Sequence, residues 1–329
     1  MTMTTDNDTG ATPVTTTAQR TGTPRHHLIL FTLLLALLVV LPWLVYPVFA
    51  MKVMCFALFA CAFNLLLGFG GLLSFGHAAF FGSASYVAAH AAKVWGLTPE
   101  LSILSGTAVA AALGLLIGAL SIRRQGIYFA MVTLAFAQMV YFFALQAEFT
   151  GGEDGIQSVP RNALFGIFSL ADNMALYWLV LVITFGGILF LYRVTHSPFG
   201  HVLKAIRQNE ARAVSLGYNV NRYKLTVFVI SATFAGLAGA TKSQVFQLAS
   251  LTDVHWSMSG EVVLMTLLGG MGTIFGPIVG AAIIVTMQNY LAGFGAWVTV
   301  IQGVIFVIGV LLFREGIVGI LAKWFKKPL

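Results

Sequence analysis

Long hydrophobic runs alternate with short polar stretches along almost the whole chain. Most runs are close to the about 20 residues that an α-helix needs to cross a bilayer. This pattern predicts an all-α, polytopic membrane protein with about eight transmembrane helices and one interrupted, re-entrant segment. The predicted runs cover residues 28–51, 53–73 with a continuation to 93, 101–122, 126–147, 176–192, 225–245, the interrupted 261–292, and 296–313.

The composition favours a membrane protein over a soluble domain. The 329 residues are 58% hydrophobic and 9% charged, against about 25% charged residues in ordinary soluble domains. The net charge of +7 predicts basic cytoplasmic loops beside membrane lipid, and no nucleic-acid partner. Cys55 and Cys61 lie in one hydrophobic run. Their spacing points them in different directions on a helix, so they predict neither a disulfide nor a metal site.

The polar ends of the chain frame one membrane domain. Residues 1–27 are polar and rich in threonine, which predicts a disordered cytoplasmic tail because this composition cannot bury a core. The transmembrane domain is predicted over residues 28–314, followed by a basic cytoplasmic tail over residues 315–329. The first run is longer than the apolar core of a signal peptide, about 7–15 residues, so we expect it to stay as an anchor. Arg123 and Arg124 mark an inside loop, which places both termini in the cytoplasm.

The longest polar segment between two hydrophobic runs covers residues 193–224. Ser197 followed by Pro198 is a typical helix start, and Gly217 is a typical stop. Polar and apolar residues recur between them at helical spacing, which predicts one capped, basic, amphipathic helix. Its polar face holds His201, Lys204, Gln208, Arg212 and Ser215, and its apolar face holds Leu203, Ile206, Ala213 and Leu216. Such a helix either rests on lipid headgroups or docks on a cytoplasmic partner, and helix geometry alone does not choose between the two.

Two hydrophobic runs are interrupted by clustered glycines. The first interruption contains Gly70 and Gly76, and the second contains Gly270, Gly276 and Pro277. Both show the spacing Gly-x4-Phe-Gly, a weak internal repeat. We expect a helix break at each, with the second forming two half-helices that turn back on the outer side. Paired breaks are typical of substrate paths in transporters, whereas close helix packing and chance repetition give the same pattern.

Few polar side chains fall inside the early hydrophobic runs. The candidates for lining a substrate path are Asn64, Ser74, His77 and Gln138. Polar groups inside a membrane are unfavourable without a partner, so they mark either a path or hydrogen bonds between helices. Both interpretations stay open for these four residues.

The sequence contains no motif for catalysis or nucleotide binding. No Gly-x4-Gly-Lys-Ser/Thr loop occurs, so we expect no cofactor on this chain and ATP on partner subunits. Nucleophile motifs and metal-ligand spacings are also missing, which predicts neither a catalytic nor a metal site. Ionisable groups inside the runs are scarce, which argues against a carrier that powers itself. We therefore expect a conduit driven by a partner at residues 193–224.

Four stretches in the same order resemble the permease family of branched-chain amino-acid ABC importers. They are residues 64–82, residues 128–136 with 150–155, residues 197–217 with their Ser-Pro-Phe-Gly start, and residues 268–277. The resemblance implies a non-catalytic permease subunit in the bacterial cytoplasmic (inner) membrane. It also implies a second, related permease subunit, two cytoplasmic ATPase subunits and an extracytoplasmic solute-binding protein as partners.

The same resemblance identifies residues 193–224 as the loop that couples a permease to its ATPase subunits. The implied coupling residues are Ser197, Pro198, Leu203, Lys204, Ile206, Arg207, Glu210, Ala211, Ala213 and Gly217. Leu203 and Ile206 are expected to anchor in a groove of the partner, with Arg207 and Glu210 at the polar rim.

The chain departs from the family pattern at two places. Gly217 follows Glu210 one residue later than in the general ABC-importer loop, and Gln138 stands where relatives often carry an acidic residue. Related importers carry urea, short amides or aromatic acids, so these solutes are alternatives to branched-chain amino acids. A secondary carrier or channel that works alone is the alternative from another class.

Overall fold

The structure, a computed structural model, describes residues 25–164, 166, 169–170, 172–295, 297–312 and 316–319. Most of both predicted tails therefore lies outside the described residues, namely residues 1–24, 315 and 320–329. One boundary differs from the prediction. The first helix begins at Arg25, so residues 25–27 belong to that helix and not to the N-terminal tail.

Twelve α-helices make up most of the described chain, which confirms the all-α prediction. They are α1 (Arg25–Leu44), α2 (Pro47–Asn64), α3 (His77–Lys93), α4 (Pro99–Ser121), α5 (Ile127–Gln146), α6 (Asn173–Thr195), α7 (Pro198–Gln208), α8 (Glu210–Ser215), α9 (Val220–Phe246), α10 (Trp256–Gly269), α11 (Gly276–Leu291) and α12 (Trp297–Leu312). A π-helical turn, Leu65–Phe69, extends α2. Two short strands, β1 (Ile156–Gln157) and β2 (Leu248–Ala249), pair in antiparallel fashion.

The helix ends define two faces of the molecule. We call one the sheet face, because it carries β1 and β2, and the other the α7–α8 face. At the sheet face, Lys93 at the end of α3 donates to the carbonyl oxygen of Gln157 in β1 at 2.8 Å. Arg161 joins the end of α9 to the start of α6, donating to the Val245 carbonyl at 2.7 Å and to Oδ1 of Asn173 at 2.8 Å. These contacts place the end of α3, the end of α9 and the start of α6 at the sheet face.

Five helices of the described chain are long and apolar enough to cross a membrane. They are Pro47–Phe69, Pro99–Ser121, Ile127–Gln146, Asn173–Thr195 and Val220–Phe246. The helices α3, α10, α11 and α12 are shorter, with 14 to 17 residues. At 1.5 Å per residue they measure about 21–26 Å, which reaches most of the way across the about 30 Å hydrocarbon core.

The first hydrophobic run breaks earlier than the sequence predicted. The expectation of one span over residues 28–51 is wrong, because α1 ends at Leu44 and α2 begins at Pro47. Proline suits the first position of a helix, where its fixed φ is already helical and its missing N–H is not needed. Lys52, which separates two runs in the sequence, therefore lies inside α2.

The interrupted segment forms a tight helical hairpin. α10 ends at Gly269, and α11 begins at Gly276 after a turn of residues 270–275. The two helices approach so closely that a Cβ atom on Gly280 would collide with the carbonyl oxygen of Met265. Small residues at such positions let helix backbones meet inside a membrane.

The turn of residues 270–275 lies at the α7–α8 face. A Cβ atom on Gly272 would lie 3.8 Å from Nη1 of Arg207, a residue of α7. The segment begins at the sheet face, because α10 follows β2 after one short turn, and α11 returns towards that face. It therefore turns back as expected, but its turn reaches the opposite face. Which face is the outer one stays a prediction. α10 and α11 count as two helices in place of one re-entrant segment.

α9 lies at the centre of the helix bundle and packs against α2, α3 and α4. A Cβ atom on Gly239 would collide with the carbonyl oxygen of Phe81 in α3. A Cβ atom on Gly236 would collide with the side chain of Ala110 in α4. These backbone contacts hold α3 and α4 against α9 and fix the positions of their ends at both faces.

The polar segment contains two helices where the sequence predicted one. α7 ends at Gln208, and α8 begins at Glu210. Asn209 between them is extended, with φ −156° and ψ 100°, and its Oδ1 accepts from the N–H of Arg212 at 3.0 Å. An asparagine cap starts a new helix because it satisfies an N–H that has no partner in the first turn. The break shifts the faces of the second helix, and Leu216, predicted on the apolar face, is 68% exposed.

Candidate functional site at the α7–α8 face

Arg207 on α7 connects the polar segment to the first glycine break. Its Nη1 donates a hydrogen bond to the carbonyl oxygen of Gly68, near the end of α2. Its side chain also passes over Gly71, where a Cβ atom would lie 2.9 Å from Cγ of Arg207. Gly71 has φ +69°, so both its left-handed backbone and the arginine above it favour glycine at this position.

The two glycine breaks contact each other directly. A Cβ atom on Gly68 would lie 2.6 Å from the backbone nitrogen of Gly272. Asn64 in α2 holds this contact: its Nδ2 donates to the carbonyl oxygen of Thr273 at 2.8 Å, and its Oδ1 accepts from the N–H of Gly272 at 2.9 Å. Both halves of the amide bind the 270–275 turn, so the turn is fixed against α2.

The residues around each break have distinct positions. Gly70 directly follows the π-helical turn of α2, and Gly76 directly precedes α3. In the second break, Gly270 has φ +126° just after α10, while Gly276 and Pro277 start α11. Both connections lack a regular helical hydrogen-bond pattern, so they are the points where the chain changes direction between the neighbouring helices.

The apolar side of α7 packs against the bundle beside the two glycine breaks. Leu203 is buried in the main core, and Ile206 is buried in a small cluster with Ala213. Nζ of Lys204 lies 5.2 Å from the ring centre of Phe69, a cation–π geometry. Burial lowers the pKa of the Lys204 ammonium from its usual value. The helix is therefore part of the packed structure of this chain.

The burial of Leu203 and Ile206 corrects their expected role. Their side chains are 0% and 3% exposed, so they present no surface that could enter a groove of a partner. The exposed large apolar side chains of the segment are Val214, Leu216 and Tyr218, at 57%, 68% and 42%. We call these three residues the exposed α8 patch.

Glu210 forms an ion pair and a hydrogen bond within the chain, and its side chain stays 34% exposed. Its Oε2 pairs with Nζ of Lys224 in α9 at 2.8 Å, and Lys224 is 5% exposed. Its Oε1 accepts from Nε2 of Gln125, in the connection between α4 and α5, at 3.1 Å. The carboxylate therefore links α8 to α9 and to the connection between α4 and α5.

The remaining coupling candidates set the bounds of the two helices. Ser197 caps α7 by accepting from the N–H of Gly200 at 3.4 Å, and Pro198 takes the first helical position. Gly217 follows α8 with φ +87°, a conformation that favours glycine at a helix end. Ala211 is exposed on α8, beside the exposed α8 patch.

The predicted path residue His77 is engaged in a bond between helices. Its Nε2 lies 2.8 Å from Oγ of Ser231 in α9, and that hydroxyl donates to the carbonyl oxygen of Ala62 in α2 at 2.5 Å. His77 and Ser231 are both 0% exposed. Since the Ser231 hydroxyl gives its proton to Ala62, it accepts from His77, which places a proton on Nε2.

The other three predicted path residues have different surroundings from those of His77. Ser74 is 0% exposed and accepts from the N–H of Gly76 at 3.2 Å. Asn64 is 3% exposed and occupied by the 270–275 turn. Gln138 is half-buried on α5. Asn64, Ser74 and His77 are therefore engaged in hydrogen bonds within the chain, whereas Gln138 is partly exposed.

Part of this arrangement could have been predicted from the sequence. Asn209 followed by Glu210 is a typical helix start and could have indicated the break between α7 and α8. The bond from Arg207 to Gly68 joins residues 139 positions apart, and no local pattern reports it. No group of three or more His, Cys, Asp or Glu side chains suited to a metal ion occurs in the part of the chain that the structure describes.

The chain is similar to known permease sequences. The family described as branched-chain amino acid transport system, permease component, matches residues 45–310. The chain is 28% identical over 291 residues to the high-affinity branched-chain amino acid transport system permease protein LivM of Salmonella typhimurium, covering 82% of this chain and 68% of that protein. It is 28% identical over 277 residues to LivM of Escherichia coli, covering 77% of this chain and 65% of that protein.

The similarity extends to a permease that is named for a different solute. The chain is 29% identical over 241 residues to the ribose import permease protein RbsC of Escherichia coli, covering 68% of this chain and 72% of that protein. No solved structure matches the chain. The family match spans α2 to α11 and most of α12. The chain therefore belongs to the family of permease components of branched-chain amino acid transport systems.

Proposed function

We propose that this chain is one of the two permease subunits of an ABC importer for branched-chain or similar amino acids. A second, related permease completes the path across the bacterial cytoplasmic membrane. Two ATPase subunits bind at the α7–α8 face, and an extracytoplasmic solute-binding protein delivers the solute at the sheet face. This chain has no catalytic role, and ATP is bound and hydrolysed by the partner subunits.

The charge distribution supports an α7–α8 face in the cytoplasm. Basic residues of inside loops hold such loops on the cytoplasmic side. The arginines at this face are Arg123, Arg124, Arg193, Arg207, Arg212 and Arg222. The sheet face carries Glu153 and Asp154 in its exposed loop.

The contacts of Arg207 are the observation that supports coupling most directly. Arg207 is bonded to Gly68 and packs on Gly71 in the first break, and it lies beside Gly272 in the second break. A force on α7 from an ATPase subunit therefore acts on both breaks at once. Breaks that change shape together alter the spacing of α2, α3, α10 and α11, which is the kind of motion that opens and closes a path.

Uptake by the complete importer tests this function. The chain is co-expressed with its ATPase, second-permease and binding-protein partners, purified through a tag on this chain, and placed in proteoliposomes with ATP inside. We expect uptake of labelled leucine that requires every component and ATP. Uptake by this chain alone, driven by an ion gradient without the ATPase subunits, would instead support a secondary carrier.

The solute class is tested with the same preparation. The LivM relatives are described as branched-chain amino acid permeases, and the RbsC relative as a ribose permease. A panel of leucine, isoleucine, valine, urea, a short amide and ribose is offered at equal concentration with the partner binding protein. We expect the three amino acids to bind and to be taken up. Uptake of ribose or urea alone would keep the importer class and reject amino acids as its solutes.

A further inference from the structure

Four charged side chains lie close together inside the bundle near the sheet face: Lys52, Lys242, Asp253 and Glu261. Lys242 and Asp253 form an ion pair, and Asp253 is 1% exposed. Lys52 interacts electrostatically with all three of the others. Charged groups at membrane depth are unfavourable unless they are paired or face a polar path, so this cluster is a candidate for a solute contact.

Lys52 and Glu261 lie at the same depth on neighbouring helices. Each is the sixth residue of a helix that begins at the sheet face, Lys52 in α2 and Glu261 in α10. Both side chains therefore sit about 8 Å along their helices from that face. α2 and α10 pack against each other, and the charges of Lys52 and Glu261 are close enough to interact.

Lys52 and Glu261 attract each other but form no direct ion pair. In the described part of the chain, ion pairs within 4.0 Å join Lys242 to Asp253 and Lys224 to Glu210. Oε2 of Glu261 accepts from Nε2 of Gln288 in α11 at 3.0 Å. Both Lys52 and Glu261 keep partial exposure. A cation and a carboxylate thus lie near each other without forming an ion pair, and neither side chain is fully buried.

We propose that Lys52 and Glu261 form a subsite for the zwitterionic head group of an α-amino acid on its way through the permease. The ammonium of Lys52 binds the solute carboxylate, and Oε1 of Glu261 binds the solute ammonium. Gln288 orients the Glu261 carboxylate, while the Lys242–Asp253 pair beside them is already neutralised. The subsite rests on the proposed function, because a neutral sugar or urea has no paired charges to match.

The physical reason is the balance of charge inside the bundle. An ion removed from water loses much of its hydration, and a fixed partner of opposite charge recovers part of that loss. Two opposite charges that do not touch leave room for a solute carrying both signs. A free α-amino acid satisfies both with charge-assisted hydrogen bonds, and its side chain is then left to the apolar surroundings.

The test uses the complete importer in proteoliposomes with saturating, leucine-loaded binding protein. Lys52→Met and Glu261→Gln should each lower leucine uptake about tenfold or more, the loss expected for one charge-assisted hydrogen bond. ATP hydrolysis stimulated by the loaded binding protein should stay near the wild-type rate. Lys93→Met is the matched control, because Lys93 is exposed at the same face and bonds to the Gln157 carbonyl, outside the cluster. It should leave uptake unchanged.

The double variant Lys52→Met with Glu261→Gln separates recognition from a structural role. If the two charges merely balance each other, removing both should restore uptake, and this result would overturn the subsite. If they hold the solute, the double variant should stay at least as impaired as either single variant. Where a neutral variant does not assemble, Glu261→Asp keeps the charge and shortens its reach. Lower leucine uptake per ATP hydrolysed then supports the subsite, and an unchanged ratio rejects it.

Failure of the subsite and failure of the proposed function give different results. A wild-type importer that takes up leucine, together with variants that do so equally well, rejects the subsite alone. A wild-type importer that does not take up leucine rejects the amino-acid function, whatever the variants do.

Discussion

The guanidinium of Arg207 donates a hydrogen bond to the carbonyl oxygen of Gly68. A helix of the polar segment thereby holds the end of α2 by a charge-assisted bond, a stronger type than a neutral pair. Gly68 in turn touches Gly272, in the turn between α10 and α11. The Arg207 side chain therefore connects the face proposed for the ATPase subunits to two helix breaks inside the bundle.

Removing this side chain should uncouple the importer. In Arg207→Ala, α7 keeps its buried seat through Leu203 and Ile206 but loses its bond to the break. We expect the ATPase subunits to remain bound and ATP hydrolysis to continue, while uptake per ATP falls about tenfold, as for a lost bond of about 1.5–3 kcal/mol. Uptake and hydrolysis measured in the same proteoliposomes give this ratio.

Arg212 provides the matched control for this experiment. It is an exposed arginine on the neighbouring helix α8, so Arg212→Ala removes the same charge at the same face. Its ratio of uptake to hydrolysis should match the wild type. An Arg207→Ala importer with a wild-type ratio would show that the bond to Gly68 transmits nothing.

Asn64 should matter for stability more than its place in a hydrophobic run suggests. Asn64→Leu has a similar volume and removes both bonds to the 270–275 turn. Side-chain hydrogen bonds within membranes contribute about 0.6 to 2 kcal/mol each, so the variant should lose about 1–4 kcal/mol. Thermal unfolding of the purified permease complex in detergent measures the loss. Gln138→Leu is the control, and it should unfold at the wild-type temperature because Gln138 is half-buried.

The membrane architecture was predictable because hydrophobic length is a strong local signal. Runs of about 20 apolar residues locate most crossing helices. The break at Pro47 was missed because apolar residues continue on both sides of it. The depth of the turn at residues 270–275 was not predictable, because a glycine break in a hydrophobic run does not report how far the hairpin reaches across the bundle.

The site was less predictable than the fold. Helix spacing identified Leu203 and Ile206 as one apolar face, and that face is real. Periodicity does not report whether an apolar face packs on its own chain or on another, so their role was misassigned. The contact of Arg207 with Gly68 and the meeting of Lys52 with Glu261 depend on tertiary packing, which no local pattern encodes.

Glycine should be required where helix backbones touch and dispensable where they do not. A Cβ atom on Gly280 would collide with the carbonyl of Met265, whereas one on Gly260 meets nothing within 4 Å. Gly280→Ala should destabilise the complex by about 1–3 kcal/mol through overpacking. Gly260→Ala should be neutral or stabilising by up to about 1 kcal/mol, because alanine favours the helix. Thermal unfolding of both variants is the measurement, and equal effects would contradict the close hairpin.

Single cysteines can show which face is cytoplasmic. The native Cys55 and Cys61 are 1% and 7% exposed, so they should add little background labelling. In intact cells, an impermeant thiol reagent should label Gln157→Cys at the sheet face and spare Asn209→Cys. Met271→Cys, in the 270–275 turn, should also be spared and should react once the cells are opened. Labelling of position 271 from outside would place that turn at the outer face and contradict a cytoplasmic α7–α8 face.

The exposed α8 patch, and not Leu203 or Ile206, should bind the ATPase subunits. Its residues leave about half of their apolar surface in solvent, next to helices that are braced by the Glu210–Lys224 pair. Leu216→Asp places a charge where an apolar contact is expected. Loss of one anchoring contact weakens an interface by about 1–2 kcal/mol or more, or about tenfold in affinity. Co-purification of the ATPase subunits with this chain should fall accordingly.

Two further variants separate docking from folding. Leu203→Ala leaves a cavity in this chain and should lower its unfolding temperature, since such cavities destabilise by about 2–5 kcal/mol. Val94→Asp changes a residue that is 63% exposed at the sheet face and should leave ATPase binding intact. If Leu216→Asp retains the ATPase subunits while Leu203→Ala releases them from a still-folded permease, the partner binds through α7 and the exposed α8 patch is not its docking surface.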